Sequence, residues 1–222
     1  IKIANYLKDK KYLKKFIQIS TPEIYGNKIK SRSYIFNPTT PYALSKLTFD
    51  IFLNMMIKKY KFPVIFVRSA NVYGEGQKLY RIIPKTIINF KKKKKIFLDD
   101  KGEIYRSFIH ISDNSNFIYK VMLRGKIGNS YHPSTNKVIS LKKLVKLICI
   151  KLKINWKKMV VLKDNKTNQD KYYKIFNQDE LKELKIKKKF ITVEKGLSRT
   201  IDWIKKNWDK FKYESTIYEH KK

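Results

Sequence analysis

Two short, largely apolar runs, FIQIS at 16–20 and FPVIFVRSA at 62–70, are the tightest constraint on how this 222-residue chain can fold. Neither alternates cleanly between polar and apolar residues, so each reads as a strand covered on both faces. The segment between them is long enough to hold a polar loop and a helix opening near Pro41, and such a crossover joins parallel strands. That helix is expected to turn Leu44, Leu47, Ile51, Met55 and Met56 inward. Residues 1–15 also carry apolar residues at helical spacing. The order helix, strand, helix, strand predicts an α/β fold with a parallel sheet. Beyond residue 81 the pieces are shorter and mixed. A helix is expected at IIPKTIINF, strands near KIFL and RSFIHI, and helices near DNSNFIYKVML, SLKKLVKLICIKL and VEKGLSRTIDWIKKN, with a frayed tail after Trp208.

In such a sheet, ligands collect at the carboxyl ends of the strands. Polar residues cluster there: Ser20, Thr21 and Glu23 follow the first strand, and Asn71 and Tyr73 follow the second. Tyr42 and Lys46 stand at the start of the intervening helix, spaced i,i+4 and so on one face. An ammonium beside a phenol favours phenolate and is expected to lower the tyrosine pKa, as a general base requires. Taken alone the pair is equally a solvated helix surface, because lysine is so abundant in this chain. His110, in FIHI, reads as a packed strand residue, and Asp113 as the cap of the helix that follows.

The formal charge of +34 raises the alternative of a non-enzymatic module that binds nucleic acid or an anionic surface. Against it, only six of the 52 basic residues are arginine, and the lysines are spread over every segment. Together with plentiful isoleucine, asparagine, tyrosine and phenylalanine, this is the composition an AT-rich genome favours. No specific nucleic-acid partner is therefore expected. The run Lys91–Lys95 reads as a helix end and the turn after it. The single cysteine, Cys149, lies in an apolar run and reads as a buried thiol, which fits a reducing compartment. No apolar run approaches the ~20 residues that span a bilayer, and no metal site is expected. The chain reads as cytoplasmic, with no membrane partner.

Taken together and in order, the stretches ISTPEIYG, NPTTPYALSK, VRSANVYGEGQ and RSFIHISD resemble the extended short-chain dehydrogenase/reductase family, specifically its nucleotide-sugar epimerases and dehydratases. The later stretch NQDKYYKIFNQDELKELKIKKKFITVEKGLSRTIDWIKKN is similar to that family's closing segment, a phosphate-contacting strip leading into a terminal helix. The resemblance implies NAD as cofactor, a nucleotide-diphosphate sugar as substrate, and pairing into a homodimer through the helix carrying Tyr42. It implies that Thr21 bonds the sugar O4, that Tyr42 is the base taking its proton, and that Lys46 grips the nicotinamide ribose. Ser20 and Val72 would complete the cofactor contacts, while Asn71, Arg81 and Arg106 would bind the substrate, the arginines through the diphosphate. The implied fold is the C-terminal half of a Rossmann-type parallel sheet with a smaller mixed α/β substrate domain. Residues 1–80 would carry the catalytic residues and residues 81–208 most of the sugar-nucleotide contacts, with 209–222 as a tail. The helix near 113–123 would pack on the Rossmann part.

Glu23 points to a subclass. The 4,6-dehydratases and UDP-glucuronate decarboxylases of the family place glutamate there, whereas the simple 4-epimerases usually have a small or hydroxylic residue. A dehydratase needs a base for the C5 proton once C4 is oxidised. Pro22, however, occupies the position where the glucose-type dehydratases commonly carry an aspartate. The expected activity is 4,6-dehydration, with epimerase and decarboxylase as alternatives. None of the seven glycines forms the strand–GxGxxG–helix fingerprint of a dinucleotide site. The expectation is that roughly 100 residues of that domain, counted as βαβ units of about 30 or more, lie outside this chain, and that alone it binds NAD poorly.

Overall fold

The computed structural model describes residues 1–26, 35–165, 177–187 and 189–218. In chain order the first elements are α1 (Lys2–Leu7), β1 (Phe16–Ser20), α2 (Pro41–Tyr60), β2 (Val64–Arg68) and β3 (Asn71–Tyr73). There follow α3 (Ile82–Lys91), β4 (Ile96–Leu98), β5 (Tyr105–His110), α4 (Ile111–Arg124), β6 (Ser130–Tyr131) and β7 (Val138–Ser140). The last are α5 (Leu141–Leu152), α6 (Trp156–Met159), β8 (Val160–Leu162), α7 (Gln178–Glu183), α8 (Val193–Lys206) and α9 (Trp208–Phe211).

β1, β2 and β6 form a parallel sheet in that order, with Phe16 opposite Val64 and Ser20 opposite Arg68. β3 runs parallel to β5, β7 closes antiparallel on β5, and β4 pairs with β8. The expected parallel sheet followed by mixed pieces is therefore present. β2 is covered on both sides, as its composition requires. Val64 and Phe66 pack with Leu53 and Met56 of α2, and Ile65 and Val67 pack with Phe117 and Val121 of α4. A third core joins α3, α5 and α8 through Ile83, Ile87, Leu144, Ile148, Leu197 and Ile201. Cys149 lies in it, where burial pushes the thiol up to about 11, so it stays protonated and acts as a packing residue.

α2 starts where the sequence says it should. Thr40 accepts from the Ala43 amide at 3.1 Å, and Pro41 sits in the first turn, where its missing N–H costs nothing. Its inward face, however, is Ala43, Leu47, Asp50, Leu53 and Met56. The expectation for Leu44, Ile51 and Met55 is overturned, since they are 55%, 54% and 42% exposed. The helix is apolar on more than one side, and periodicity does not say which side meets the sheet. α1 is also shorter than its apolar spacing suggested.

Two further expectations need correction. His110, not Asp113, caps α4: its Nδ1 accepts from the Ser112 amide at 3.3 Å, while the Asp113 carboxylate accepts from the Ile191 amide at 2.6 Å. A side chain two residues into the helix is free to tie down a distant loop. The tail is not frayed up to residue 218: Lys92 donates to the Glu214 carbonyl at 3.1 Å, Thr216 donates to Asn89 at 3.2 Å, and the Tyr80 and Tyr218 rings lie 4.8 Å apart. The strip at 168–176 lies outside the described residues.

Gly196 shows how closely α8 approaches the sheet. A Cβ there would sit 2.1 Å from the Tyr73 hydroxyl oxygen and 2.9 Å from His110 Cδ2. Gly196→Ala should therefore cost about 1–3 kcal/mol by overpacking. In a Tyr73→Phe background the cost should shrink, a difference readable from urea unfolding midpoints.

Candidate active site

β1 runs out at Ser20, and the chain turns at once into a single 3-10 turn, Pro22–Tyr25. Thr21 begins that turn in an extended conformation, its oxygen accepting from the Glu23 amide at 3.3 Å. The hydroxyl proton is left to donate elsewhere. Glu23 is thereby fixed one step beyond Thr21, at the carboxyl edge of the sheet. Tyr42 stands in the first turn of α2 and is 53% exposed. Lys46, one turn on, reaches back to the Ile19 carbonyl at 3.4 Å.

Glu23 and Arg81 both lie close enough to Tyr42 to act on its ionisation. Partial burial raises the phenol above its ordinary value, the Glu23 carboxylate raises it further, and the Arg81 guanidinium opposes them. The expected lowering by Lys46 is not found: its ammonium is directed at the Ile19 carbonyl, and desolvation with Glu23 outweighs what positive charge is nearby. Thr21, Glu23, Tyr42, Lys46 and Arg81 are thus gathered at one edge. Asn71 and Val72 lie in β3, where the Val72 carbonyl accepts from Gln77 at 2.9 Å and folds the following loop back. Arg106 lies in the amino-terminal half of β5, its Nη1 donating to the Tyr105 carbonyl at 2.9 Å.

Beneath these residues runs a buried polar chain that the sequence reading missed. Asp50 accepts from Ser20 at 2.8 Å and from Arg68 Nε and Nη2 at 3.2 and 3.0 Å. The side chains of the pair are 0% and 4% exposed. Arg68 Nη1 also donates to Ser130 at 2.7 Å and to the Tyr25 hydroxyl. That hydroxyl lies 2.9 Å from His132 Nε2, and His132 Nδ1 lies 2.7 Å from Glu180 of α7. Burial raises the Asp50 carboxyl, and Arg68 and Ser20 pull it back. The available signal was an acidic residue four positions after Lys46 on the same helix, and an arginine, in a lysine-dominated chain, closing an apolar strand. A second cluster joins His110 to Glu75 at 3.2 Å and Glu75 to Arg199 at 3.0 Å, tying the loop after β3 to α8.

This arrangement is that of a known family. The model of the NAD dependent epimerase/dehydratase family matches residues 1–132. The chain belongs to that family. It is 30% identical over 211 residues to human dTDP-D-glucose 4,6-dehydratase, a match covering 90% of this chain and 59% of the human one. It is 34% identical over 142 residues to the Dictyostelium discoideum dTDP-D-glucose 4,6-dehydratase, covering 58% and 33% respectively. The crystal structure of dTDP-glucose 4,6-dehydratase from Bacillus anthracis in complex with NAD superposes with a TM-score of 0.84 at 28% identity, covering 93% of this chain and 66% of that one. The chain thus spans about three-fifths of the human relative's length.

Because a buried charge stripped of its partner is costly, Arg68→Met should destabilise by about 3–5 kcal/mol, whereas Arg68→Met with Asp50→Leu should recover much of the loss. Unfolding midpoints of the two variants check this. At the site itself, removing the carboxylate in Glu23→Gln should lower the Tyr42 phenol pKa, and Arg81→Gln should raise it. NMR titration of ring-labelled tyrosine reads both directions.

Proposed function

We propose that this chain carries the catalytic residues of an NAD-dependent nucleotide-sugar 4,6-dehydratase. The observation that carries the reading is the placement of Glu23 two residues after Thr21, in the turn that Thr21 caps, and within electrostatic reach of Tyr42. A hydroxyl, a phenol and a carboxylate then converge on one face of a bound sugar. Relatives named dTDP-glucose 4,6-dehydratase support the same choice. We further propose that residues 1–80 supply the catalytic groups and that residues 81–208 supply most of the substrate contacts.

The residues present fit NAD. Tyr42 and Lys46 share one face at the carboxyl edge, and the Ser69 hydroxyl, just past β2, is buried with no partner among the described residues. Tyr42 and Lys46 would hold the cofactor together with Ser20 and Val72. The Ser20 hydroxyl is committed to Asp50, which leaves its backbone for that task. When bound, NAD would take hydride from the sugar C4 and return it.

Thr21 would donate to O4 and orient it. Tyr42 would take the O4 proton as C4 is oxidised, and Glu23 would then remove the C5 proton, which the neighbouring ketone has made acidic. Asn71, Arg81 and Arg106 would bind the phosphates and sugar of the nucleotide, arginine being suited to planar anions. A 4-epimerase is the second reading. It is favoured by Pro22, which is buried at the start of the 3-10 turn and offers no acid for the departing C6 hydroxyl. The exposed stripe Leu44, Ile51 and Met55 on α2 supports a homodimer through that helix. Among the described residues no helix is long and apolar enough to cross a membrane. With the single cysteine reduced, we place the protein in the cytoplasm.

In a preparation that converts dTDP-glucose, Tyr42→Phe should stop C4 oxidation. Glu23→Gln should leave that step and cut deuterium exchange at C5 by about 10²–10⁴-fold. Near-normal formation of the 4-keto-6-deoxy product by Glu23→Gln would sink the role of Glu23 as the C5 base, whereas a 4-epimer in place of that product from the unsubstituted protein would replace the dehydratase reading with the epimerase one. Separately, Ile51→Lys should shift the protein toward monomer in light scattering.

A further inference from the structure

The strap formed by residues 212–218 lies along the outward face of α3. Between strap and helix is a cleft of about 260 Å³ lined by Lys85, Asn89, Lys92 and Lys94 on one side and by Glu214, Ser215, Thr216 and Ile217 on the other. Its volume exceeds what a single bridging water needs, about 10–15 Å³. None of the candidate active-site residues lines it.

Lysine is so common in this chain that lysines beside a cleft mean little by themselves. The placement of these is more informative. Lys85, Asn89 and Lys92 recur at i, i+4 and i+7, one stripe of the helix, and all three are half-buried. Lysine is ordinarily exposed, and in the run 91–95 Lys92 alone is drawn in while its four neighbours stay exposed. Lys92 is held there by the Glu214 carbonyl at 3.1 Å, and Asn89 by the Thr216 hydroxyl at 3.2 Å. The Lys85 ammonium has no hydrogen bond or ion pair among the described residues. Three ammonium groups, one carboxylate, two hydroxyls and an amide therefore line a cleft of net positive charge.

We propose that this cleft is a binding site for a phosphate group of two or more negative charges, with Lys85 and Lys92 as its principal donors. A dianion matches the net charge of the lining, and bonds between charged groups are the strong ones in a partly dry setting. The strap supplies Ser215 and Thr216, so occupancy would also fasten residues 212–218 to α3. Free phosphate and a phosphate ester present the same chemistry here.

The test is calorimetric titration of the whole chain with inorganic pyrophosphate at physiological salt, where diffuse surface attraction is screened beyond about 8 Å. One site should be seen. Lys85→Gln with Lys92→Gln should weaken it at least about tenfold, the effect of losing bonds to charged groups, and Thr216→Val should weaken it less. Lys11→Gln with Lys14→Gln, an equal loss of charge on the exposed segment before β1, should leave it unchanged. Equal weakening by both pairs of substitutions would overturn the proposal in favour of diffuse charge, as would an absence of binding heat or a series of weak equivalent sites. If a sugar phosphate binds the same site as tightly as pyrophosphate, the ligand is an ester; if only pyrophosphate and phosphate bind, it is the free anion.

Discussion

The buried ion pair between Asp50 and Arg68 is the constraint on which the candidate site rests. Taking both charges out of water costs several kcal/mol each, and attraction repays it only when the remaining donors and acceptors are filled. Here Tyr25 and Ser130 take up Arg68 Nη1 and Ser20 shares Asp50 Oδ2 with Arg68, while Asp50 Oδ1 is buried with no hydrogen-bond partner among the described residues. Asp50 stands four residues after Lys46 and eight after Tyr42, on the same stripe of α2. Anchoring Asp50 to β1 and β2 therefore sets the rotation of the whole helix. It brings Tyr42 to the carboxyl edge, beside the turn that holds Thr21 and Glu23. An apolar pair of similar volume could match the stability without specifying that rotation, because α2 is apolar on more than one side and has other faces to offer the sheet. Through Tyr25 and His132 the same chain reaches Glu180, so α7 is locked to the site although it is far away in sequence.

The electrostatics at the edge suit two bases that act in succession. Glu23 raises the Tyr42 phenol, so an ionised Glu23 and a phenolate disfavour one another. On the proposed chemistry Tyr42 acts first and ends protonated. The carboxylate of Glu23 is then relieved of any competing negative charge when its own turn comes at C5. Arg81 opposes Glu23 from the head of α3 and keeps the phenol from rising further. Lys46, directed at the Ile19 carbonyl, contributes position at this stage more than charge.

How much of this was legible follows from which forces leave a local trace. The two apolar strands, the Thr40–Pro41 helix start and the polar residues after each strand are local signals, and they placed the sheet, α2 and the cluster of Thr21, Glu23, Tyr42 and Lys46. The inward face of α2 was misread because Leu44, Ile51 and Met55 are as apolar as the residues actually buried. Only the partner surface, together with the buried Asp50, decides between the two sides. The Asp50–Arg68–Tyr25–His132–Glu180 chain was invisible because its members are separated by up to 155 positions and meet only in the folded sheet. Asp113 was assigned to the helix nearest in sequence, whereas its partner is the Ile191 amide.

The contrast between arginine and lysine gives the high net charge a structural meaning. Arg68 joins α2 to β2 and β6, Arg124 ties α4 to the end of α7 through the Leu184 carbonyl at 2.8 Å, and Arg199 joins α8 to Glu75 and to Ser112. The contacts of Arg68 and Arg199 use the fixed, multiply donating geometry of a guanidinium, which lysine cannot reproduce. A composition that drifted toward lysine could replace arginine freely on the surface but not at such junctions. Loss of Arg68 would strand the buried Asp50 carboxylate. Lysine, as a compact point charge on a flexible stem, is tolerated wherever water can reach it. By this reasoning function among the lysines is sought in those that the fold draws partly inward, among them Lys46 against the end of β1, and Lys85 with Lys92 under the C-terminal strap.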